Sequence, residues 1–391
     1  MRRVKYPYNT TTQKEEFKDD YYTLLKNKID IVKIDTILKK VDNDFTLKRL
    51  LTDDFSELLT ISKKIKNSKY EKSIKSFFIK NSDYLYDSCQ LKISSFLMDK
   101  NIELNTCHYC NIDFINITEE HYQFNSIKDF VLYAPYDVLM LVKEIKKDTA
   151  KRIIKYRNHS HMVKWGDLLS NSIYDKLYQM YKTRKNSSKG LDLRNIIIKR
   201  NHFTLDHVLP KSEYNFLSLS IFNLVPSCNS CNSKFKHQKE FTVNNELAKI
   251  CPSSDNFEWD DLMNFKLKFD INDPDFERKI SEIKEVKDVE IKIDNKNSLL
   301  GVDEFIEIFK LKSRYEFHKN ISFEMIENRK LYSDSNIKEI SDLFLEKGII
   351  KSVDSLKKDI FGKELFEENN APFEKYKRDI AKQLGLIKKA L

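Results

Sequence analysis

Through the first hundred positions apolar residues recur every three or four places. Tyr22, Leu24, Leu25, Ile29, Ile31, Val32, Ile34, Ile37 and Leu38 set the rhythm, and 45–65, 70–78 and 84–97 continue it. That spacing predicts a helical region of about four helices. It holds no spacing of catalytic side chains. The texture changes at Cys107: TCHYCNIDFINI reads as a Cys-x-x-Cys turn followed by a strand through Ile112, Phe114 and Ile117. A basic helical segment is expected from about Ser126 to Tyr181. From His202 to Lys236 short apolar runs alternate with a proline break and end in a second Cys-x-x-Cys. FKLKFDI (Phe265–Ile271) and VEIKI (Val289–Ile293) alternate with period two and predict strands. From Val302 onward the pattern is helical and rich in lysine.

Composition narrows the architecture. Only 6 glycines and 7 prolines occur in 391 residues, which argues against turn-dense sandwiches, propellers and Rossmann sheets. The expected class is mainly α with a few strands, in a chain long enough for two or three cores. No apolar run reaches the roughly 18–20 residues of a membrane helix, and the basic N-terminus lacks a signal-peptide core. The expectation is a soluble, cytoplasmic protein.

Charge is unevenly spread. Overall Lys+Arg exceed Asp+Glu by 69 to 60. Between Leu141 and Lys211 there are 17 basic and 6 acidic residues, a net +11, whereas Glu240–Leu300 carries 9 basic and 15 acidic. A single stretch therefore holds the positive excess, which is the footprint of a polyanion-binding surface or of a solvated helix face.

Two of the cysteine spacings carry chemistry. Cys107/Cys110 and Cys228/Cys231 are both Cys-x-x-Cys pairs, and together they offer the four thiolates of a tetrahedral zinc site. The redox reading of such a pair needs a βαβ pattern, which is absent. Cys89 and Cys251 read as plain buried thiols. His108 reads as a turn residue, with three thiolates and this imidazole as the alternative ligand set.

Just before the second pair stand Asp206-His207, then Pro210, Lys211, Asn223, Cys228, Cys231 and Asn232. D-H-x-x-P-K-S followed by N-L-x-x-x-C-x-x-C-N resembles the HNH (His-Me finger) endonuclease motif. The resemblance implies a small ββα-metal core, stapled by the split four-cysteine zinc site. It implies His207 as general base, Asp206 and Asn232 as ligands of a catalytic Mg2+ or Mn2+, and Asn223 as the residue orienting the His207 region. Lys211, Lys234 and Lys236 become candidates for phosphate contact. Many members carry a lysine three residues after the last Asn; here that position is Phe235, between Lys234 and Lys236. The chemistry is coherent on its own terms: a neutral imidazole takes a proton near pH 7, and hard oxygen ligands suit a hard divalent ion. The expected activity is phosphodiester hydrolysis in DNA, leaving a 3′-hydroxyl and a 5′-phosphate. Alternatives are an RNase or toxin of the same metal chemistry, or a catalytically dead zinc-stapled nucleic-acid-binding subunit.

Ala134–Leu169 resembles a helix-hairpin-helix unit of the competence-protein type, through Ala-Lys-Arg-Ile-Ile-x-Tyr-Arg and Trp-Gly-Asp-Leu-Leu. The hairpin positions Lys143, Glu144, Ile145 and Lys146 lack the usual glycines, so charge would replace the amide cradle. Lys146, Lys147, Lys151, Arg152, Lys155 and Arg157 are the candidate phosphate contacts. The layout as a whole resembles HNH proteins of bacterial anti-phage systems of the Septu type, which implies a defence role and an ABC/SMC-like ATPase partner. The expected organisation is an N-terminal helical region (1–104), a first zinc half-site (105–125), a basic insertion (126–198), the HNH core (199–245), and strands followed by C-terminal helices (246–391).

Overall fold

The structure is a computed structural model; it describes residues 1–157, 170, 173, 175, 177–178, 192–366 and 369–387. About 52% is helical, and the strands pair only in twos. The chain divides into two compact units, one made of Met1–Asn116 with His202–Leu391, the other of Ile117–Asn201.

The larger unit begins with six α-helices rather than four: α1 (Thr11–Leu25), α2 (Ile31–Leu38), α3 (Leu47–Thr52), α4 (Phe55–Lys66), α5 (Glu71–Ser76) and α6 (Leu85–Asp99). Short polar starts explain the finer division. Thr10 caps α1 in a full capping box with Gln13, and Asp30 and Thr46 cap α2 and α3, each accepting an orphan backbone N–H. A two-residue hairpin, β1 (Ile79–Lys80) with β2 (Asp83–Tyr84), leads directly into α6. Helices of this layer hold the loop that follows His207. Tyr21 Oη donates to the Leu219 carbonyl at 2.7 Å, Asn215 Nδ2 donates to the Lys75 carbonyl at 3.0 Å, and Ser220 Oγ donates to the Leu50 carbonyl.

The smaller unit opens and closes on one antiparallel ribbon. β3 (Ile117–Tyr122) pairs with β4 (Ile196–Asn201) from Ile117↔Asn201 to Tyr122↔Ile196. The strand expected around Ile112–Ile117 therefore starts at Ile117, and only a bridge between Thr106 and Phe114 precedes it. Between the strands lie α7 (Ile127–Tyr133), α8 (Tyr136–Leu139) and α9 (Lys147–Arg157), around a core that includes Phe130, Val138, Val142, Ile145, Ala150 and Ile153. Trp165–Leu169, the second half of the hairpin resemblance, lies outside the described residues.

Back in the larger unit, β5 (Thr204–His207) pairs with β6 (Leu224–Ser227), and a short π-helix, Ser230–Lys236, follows. Further on, β7 (Met263–Leu267) pairs with β8 (Ile291–Asn295), within two to four residues of the strands the alternation predicts. Side chains of the last helix, α18 (Glu374–Gln383), satisfy the open edge of β7. Phe265 N–H donates to Asp379 Oδ2 at 3.0 Å, and Leu267 N–H donates to Gln383 Oε1 at 2.8 Å. Between β8 and α18, α14 (Leu311–Phe317) lies among the aromatic side chains Tyr315, Phe265 and Tyr376. Among the described residues no helix is long and apolar enough to cross a membrane.

Candidate active site and zinc centre

The two Cys-x-x-Cys turns come from opposite ends of a 117-residue excursion, yet their sulfurs meet. Sγ of Cys107, Cys110, Cys228 and Cys231 all lie within 4.8 Å of one another, and all four residues are buried. Tetrahedral zinc with Zn–S bonds of about 2.3 Å needs sulfurs about 3.8 Å apart, so the cage fits that ion. Backbone N–H groups point at the sulfurs as they do around bound thiolates. Cys228 N–H reaches Cys107 Sγ at 3.3 Å, Cys231 N–H reaches Cys228 Sγ at 3.3 Å, and Ile112 N–H reaches Cys110 Sγ at 3.4 Å. The first of these bonds crosses between the two halves.

Arg314 of α14 adds a charge that spacing could not reveal. Its guanidinium donates to Cys231 Sγ at 3.3 Å and to Asp113 Oδ2 at 3.1 Å, and stacks over Phe235 at 4.7 Å. A cation there offsets part of the double negative charge that four thiolates and one Zn2+ would leave. His108 is no ligand. It is buried, its Nδ1 faces the Arg2 carbonyl at 3.2 Å, and burial lowers its pKa to about 4. Cys89 and Cys251 are buried apart from the cage.

β5 ends in Asp206 and His207, and a cleft of about 510 Å3 opens beside them. Asp206, His207, Lys211, Asn232, Lys236 and Tyr84 all line it. His207 Nε2–H donates to the Ser218 carbonyl at 2.9 Å, which leaves Nδ1 as the basic nitrogen. Tyr86 packs edge-on against the imidazole, ring centroids 4.4 Å apart, and fixes its tilt. Burial, opposed by the Ser218 carbonyl and the Asp206 charge, lowers the His207 pKa to about 4. The imidazole is therefore neutral and able to accept a proton at pH 7.

Asn223 is fully buried and spends its amide on the loop after His207. Its Oδ1 accepts from Leu209 N–H at 2.7 Å, and Nδ2 donates to the carbonyls of Leu209 and Leu217 at 3.0 and 3.1 Å. With all these groups engaged, the strand-to-loop turn that presents His207 has little freedom.

Asn232 stands in the first turn of the π-helix, half-buried at the cleft. The π geometry is explicit in the His237 N–H donation to the Asn232 carbonyl at 2.9 Å, five residues back. One extra residue per turn means that the fourth residue after Asn232 faces where the third would in an α-helix. Lys236, rather than Phe235, therefore faces Asp206. Lys236 turns inward: its Nζ lies 2.8 Å from Asp206 Oδ2, 3.1 Å from Oδ1, and 2.5 Å from the His207 carbonyl. Lys234 is exposed and outside the cleft lining. Lys211 lines the cleft, pairs with Asp87 at 2.7 Å, and lies over the Tyr84 and Tyr86 rings.

The carboxylate of Asp206 and the amide of Asn232 line one cleft and are hard oxygen donors of the kind that would hold Mg2+ or Mn2+. Spacing did not announce the side chains that pack on His207 and Lys211. Tyr84, Tyr86 and Asp87 come from the β2–α6 junction, in a region whose spacing signalled only helices. Tyr109 was hidden between two zinc ligands, and its hydroxyl donates to Asp206 Oδ2 at 2.6 Å.

On the inserted unit, Lys146, Lys147, Lys151, Arg152 and Lys155 are exposed, on α9 or at its start, while Ala150 and Ile153 face the core. Arg157 differs: its Nε donates to the Val131 carbonyl at 2.7 Å and it is half-buried. The hairpin positions Lys143–Lys146 form the turn between α8 and α9.

A neutral imidazole, a carboxylate, an amide and a buried ammonium thus line one solvent cleft. Residues 193–238 match the family model described as HNH endonuclease, so the chain carries an HNH endonuclease domain over that stretch. The comparisons with curated proteins and with solved structures found no match.

Proposed function

We propose that the protein is a metal-dependent endonuclease that hydrolyses phosphodiester bonds in DNA. The observation that carries this reading is the convergence of Asp206, His207, Asn232 and Lys236 on one cleft within the matched stretch. In this reading His207 is the general base. The Ser218 carbonyl holds its Nε2 proton, so Nδ1 receives the proton of the attacking water as that oxygen bonds to phosphorus. The bond from phosphorus to the 3′-oxygen breaks as that oxygen takes a proton from solvent water in the open cleft, leaving a 3′-hydroxyl and a 5′-phosphate. Asp206 and Asn232 hold one Mg2+ or Mn2+, which when bound supplies Lewis acidity to the phosphate and the leaving oxygen. Asn223 keeps the His207 loop in place. Lys236 and Lys211 are the phosphate contacts best supported by their position at the cleft, and Lys234 would meet the backbone further out.

The exposed cations of α9 would guide the duplex by phosphate contact. Cys107, Cys110, Cys228 and Cys231 hold a structural Zn2+. A role in anti-phage defence beside an ABC/SMC-like ATPase, in the cytoplasm, rests on the resemblance in layout. The test is incubation with plasmid, linear DNA and total RNA, in Mg2+, Mn2+ or EDTA, using wild type and His207→Ala. The expected result is metal-dependent DNA cleavage by wild type alone. Cleavage confined to RNA would overturn the DNA assignment, and cleavage in EDTA would overturn the metal mechanism.

A further inference from the structure

Tyr109 belongs to the first zinc turn, between Cys107 and Cys110, yet its hydroxyl does not serve the zinc. It donates to Oδ2 of Asp206 at 2.6 Å, across 97 residues of sequence. The ring that carries this hydroxyl is almost wholly buried. It stacks on Phe309 with centroids 4.5 Å apart and an interplanar angle of 23°, and leans on Phe305 at 5.7 Å. On either side the backbone is fixed by the cage: Asn111 N–H donates to the Cys107 carbonyl at 2.8 Å, and Tyr315 Oη donates to the Cys110 carbonyl at 2.7 Å. The hydroxyl thus reaches Asp206 from a mount with almost no rotational freedom.

A carboxylate has two oxygens and can turn about its Cβ–Cγ bond. A metal ligand must present one lone pair in one direction, and whatever fixes the carboxylate plane lowers the cost of binding. At Asp206 the plane is set from two sides. Lys236 Nζ bridges both oxygens, and Tyr109 holds Oδ2 from the side of the zinc cage. Lysine is a flexible cation that could leave to meet a phosphate. Tyr109 is held in place, because its buried ring stacks on Phe309 and leans on Phe305. Of the two partners, the phenol is the one that persists through a reaction.

We propose that Tyr109 is a positioning residue that orients Asp206 for the catalytic divalent ion, so that the zinc turn acts on the reaction centre through one hydrogen bond. The inference rests on the reading of Asp206 as a metal ligand. It gives the split zinc site a purpose beyond stapling: the turn brings a rigid donor to the carboxylate.

The experiment compares Mn2+ binding, by electron paramagnetic resonance of free Mn2+, in wild type, Tyr109→Phe and Asp206→Asn, all loaded with zinc. Zinc content and melting temperature are measured on each. Tyr109→Phe keeps the stacked ring and should retain zinc and fold, while its Mn2+ affinity falls about 10-fold or more, as outer-shell losses do at metal sites. Should the phenylalanine variant lose zinc, 4-methylphenylalanine in place of Tyr109 fills the same space without a donor and should show the same loss of Mn2+. Affinity within about twofold of wild type in either folded variant would overturn the proposal. Asp206→Asn separates the two failures. If it removes Mn2+ binding while the Tyr109 variants do not weaken it, only the positioning role falls. If it binds Mn2+ like wild type, the ligand assignment of Asp206 falls, and the inference with it.

Discussion

At the cleft, Lys236 and Asp206 are withdrawn from water and tied to their neighbours, Lys236 to Asp206 and the His207 carbonyl, Asp206 to Tyr109, while the buried amide of Asn223 engages three backbone groups. On α9 of the inserted unit, Lys147, Lys151 and Lys155 stand exposed on the face opposite Ala150 and Ile153. Both regions are rich in charge, but the physics differs. A buried charge costs much to desolvate and persists only with partners, so each one is specified by its neighbours. An exposed lysine on a helix costs little and acts through the summed field, so any single one is replaceable. The cleft should therefore respond to single substitutions, and α9 only to several together.

The zinc cage offers the largest break. Cys231→Ser, or removal of zinc from intact thiols, should unfold the larger unit's nuclease portion, because zinc binding of about 10 kcal/mol or more enters there as folding free energy. Elemental analysis should give about one zinc per chain, and circular dichroism melting would show the loss of a cooperative transition. A metal-free protein that melts like the loaded one would remove the cage from the account.

Next comes the buried ion pair. Lys236→Met leaves the Asp206 carboxylate buried beside an apolar chain, with only Tyr109 still donating to it, and should cost about 3 kcal/mol. Lys234→Met, one turn face away and exposed, should stay within about 0.5 kcal/mol. Urea unfolding of both variants checks the contrast, and equal costs would mean that burial does not separate these two lysines.

Acid should act on the buried histidines in a defined window. His207 and His108 are both held near 4 by burial, against about 6.5 when unfolded. Above pH 6.5 neither state binds the proton and no effect appears. As the pH falls from 6.5 toward 4 the unfolded chain takes up protons that the folded one refuses, so stability drops by roughly 3 kcal/mol for each histidine. The same shift keeps His207 neutral at pH 6. Its imidazole resonances, followed by NMR, should still be those of the neutral form there, and a midpoint near 6.5 would contradict the buried setting.

The smallest effect on the fold belongs to α9. Changing Lys147, Lys151 and Lys155 together to Ala should move stability by less than about 1 kcal/mol. The slope of log affinity for duplex DNA against log salt should flatten by up to about 3, at about 0.9 per phosphate contact. An unchanged slope, measured by fluorescence anisotropy, would make the helix a packing element and move the polyanion surface elsewhere.

The parts of the site that sequence revealed are those whose partners follow a local spacing. Two Cys-x-x-Cys turns announce a tetrahedral site even at long separation, because each pair carries half the geometry by itself. Asp206, His207 and Asn232 were singled out instead by the resemblance of D-H-x-x-P-K-S and C-x-x-C-N to the HNH motif. What stayed hidden depends on three-dimensional neighbours: Arg314 on the cage, Tyr86 on His207, Tyr84 and Asp87 on Lys211, and Tyr109 on Asp206. Lys236 stood among the candidate phosphate contacts, but its turn inward onto Asp206 was not legible, since the π-turn shifts the inward position by one residue and no composition signal announces it. In the fold, the helical and strand classes were legible from periodicity. The six-fold division of the N-terminal helices was not, because it depends on caps such as Thr10, Asp30 and Thr46. The extent of the inserted unit was also hidden, since the pairing of Ile117 with Asn201 joins segments 84 residues apart.

The account stands most directly on His207. The measurement is cleavage of plasmid DNA in Mg2+ or Mn2+ by His207→Ala, alongside its zinc content, melting temperature and DNA affinity. A general base acts in the transition state and adds little to ground-state binding. The account predicts loss of cleavage by at least about 100-fold with zinc and DNA binding retained. Cleavage at the wild-type rate by a folded, zinc-loaded His207→Ala protein would contradict it.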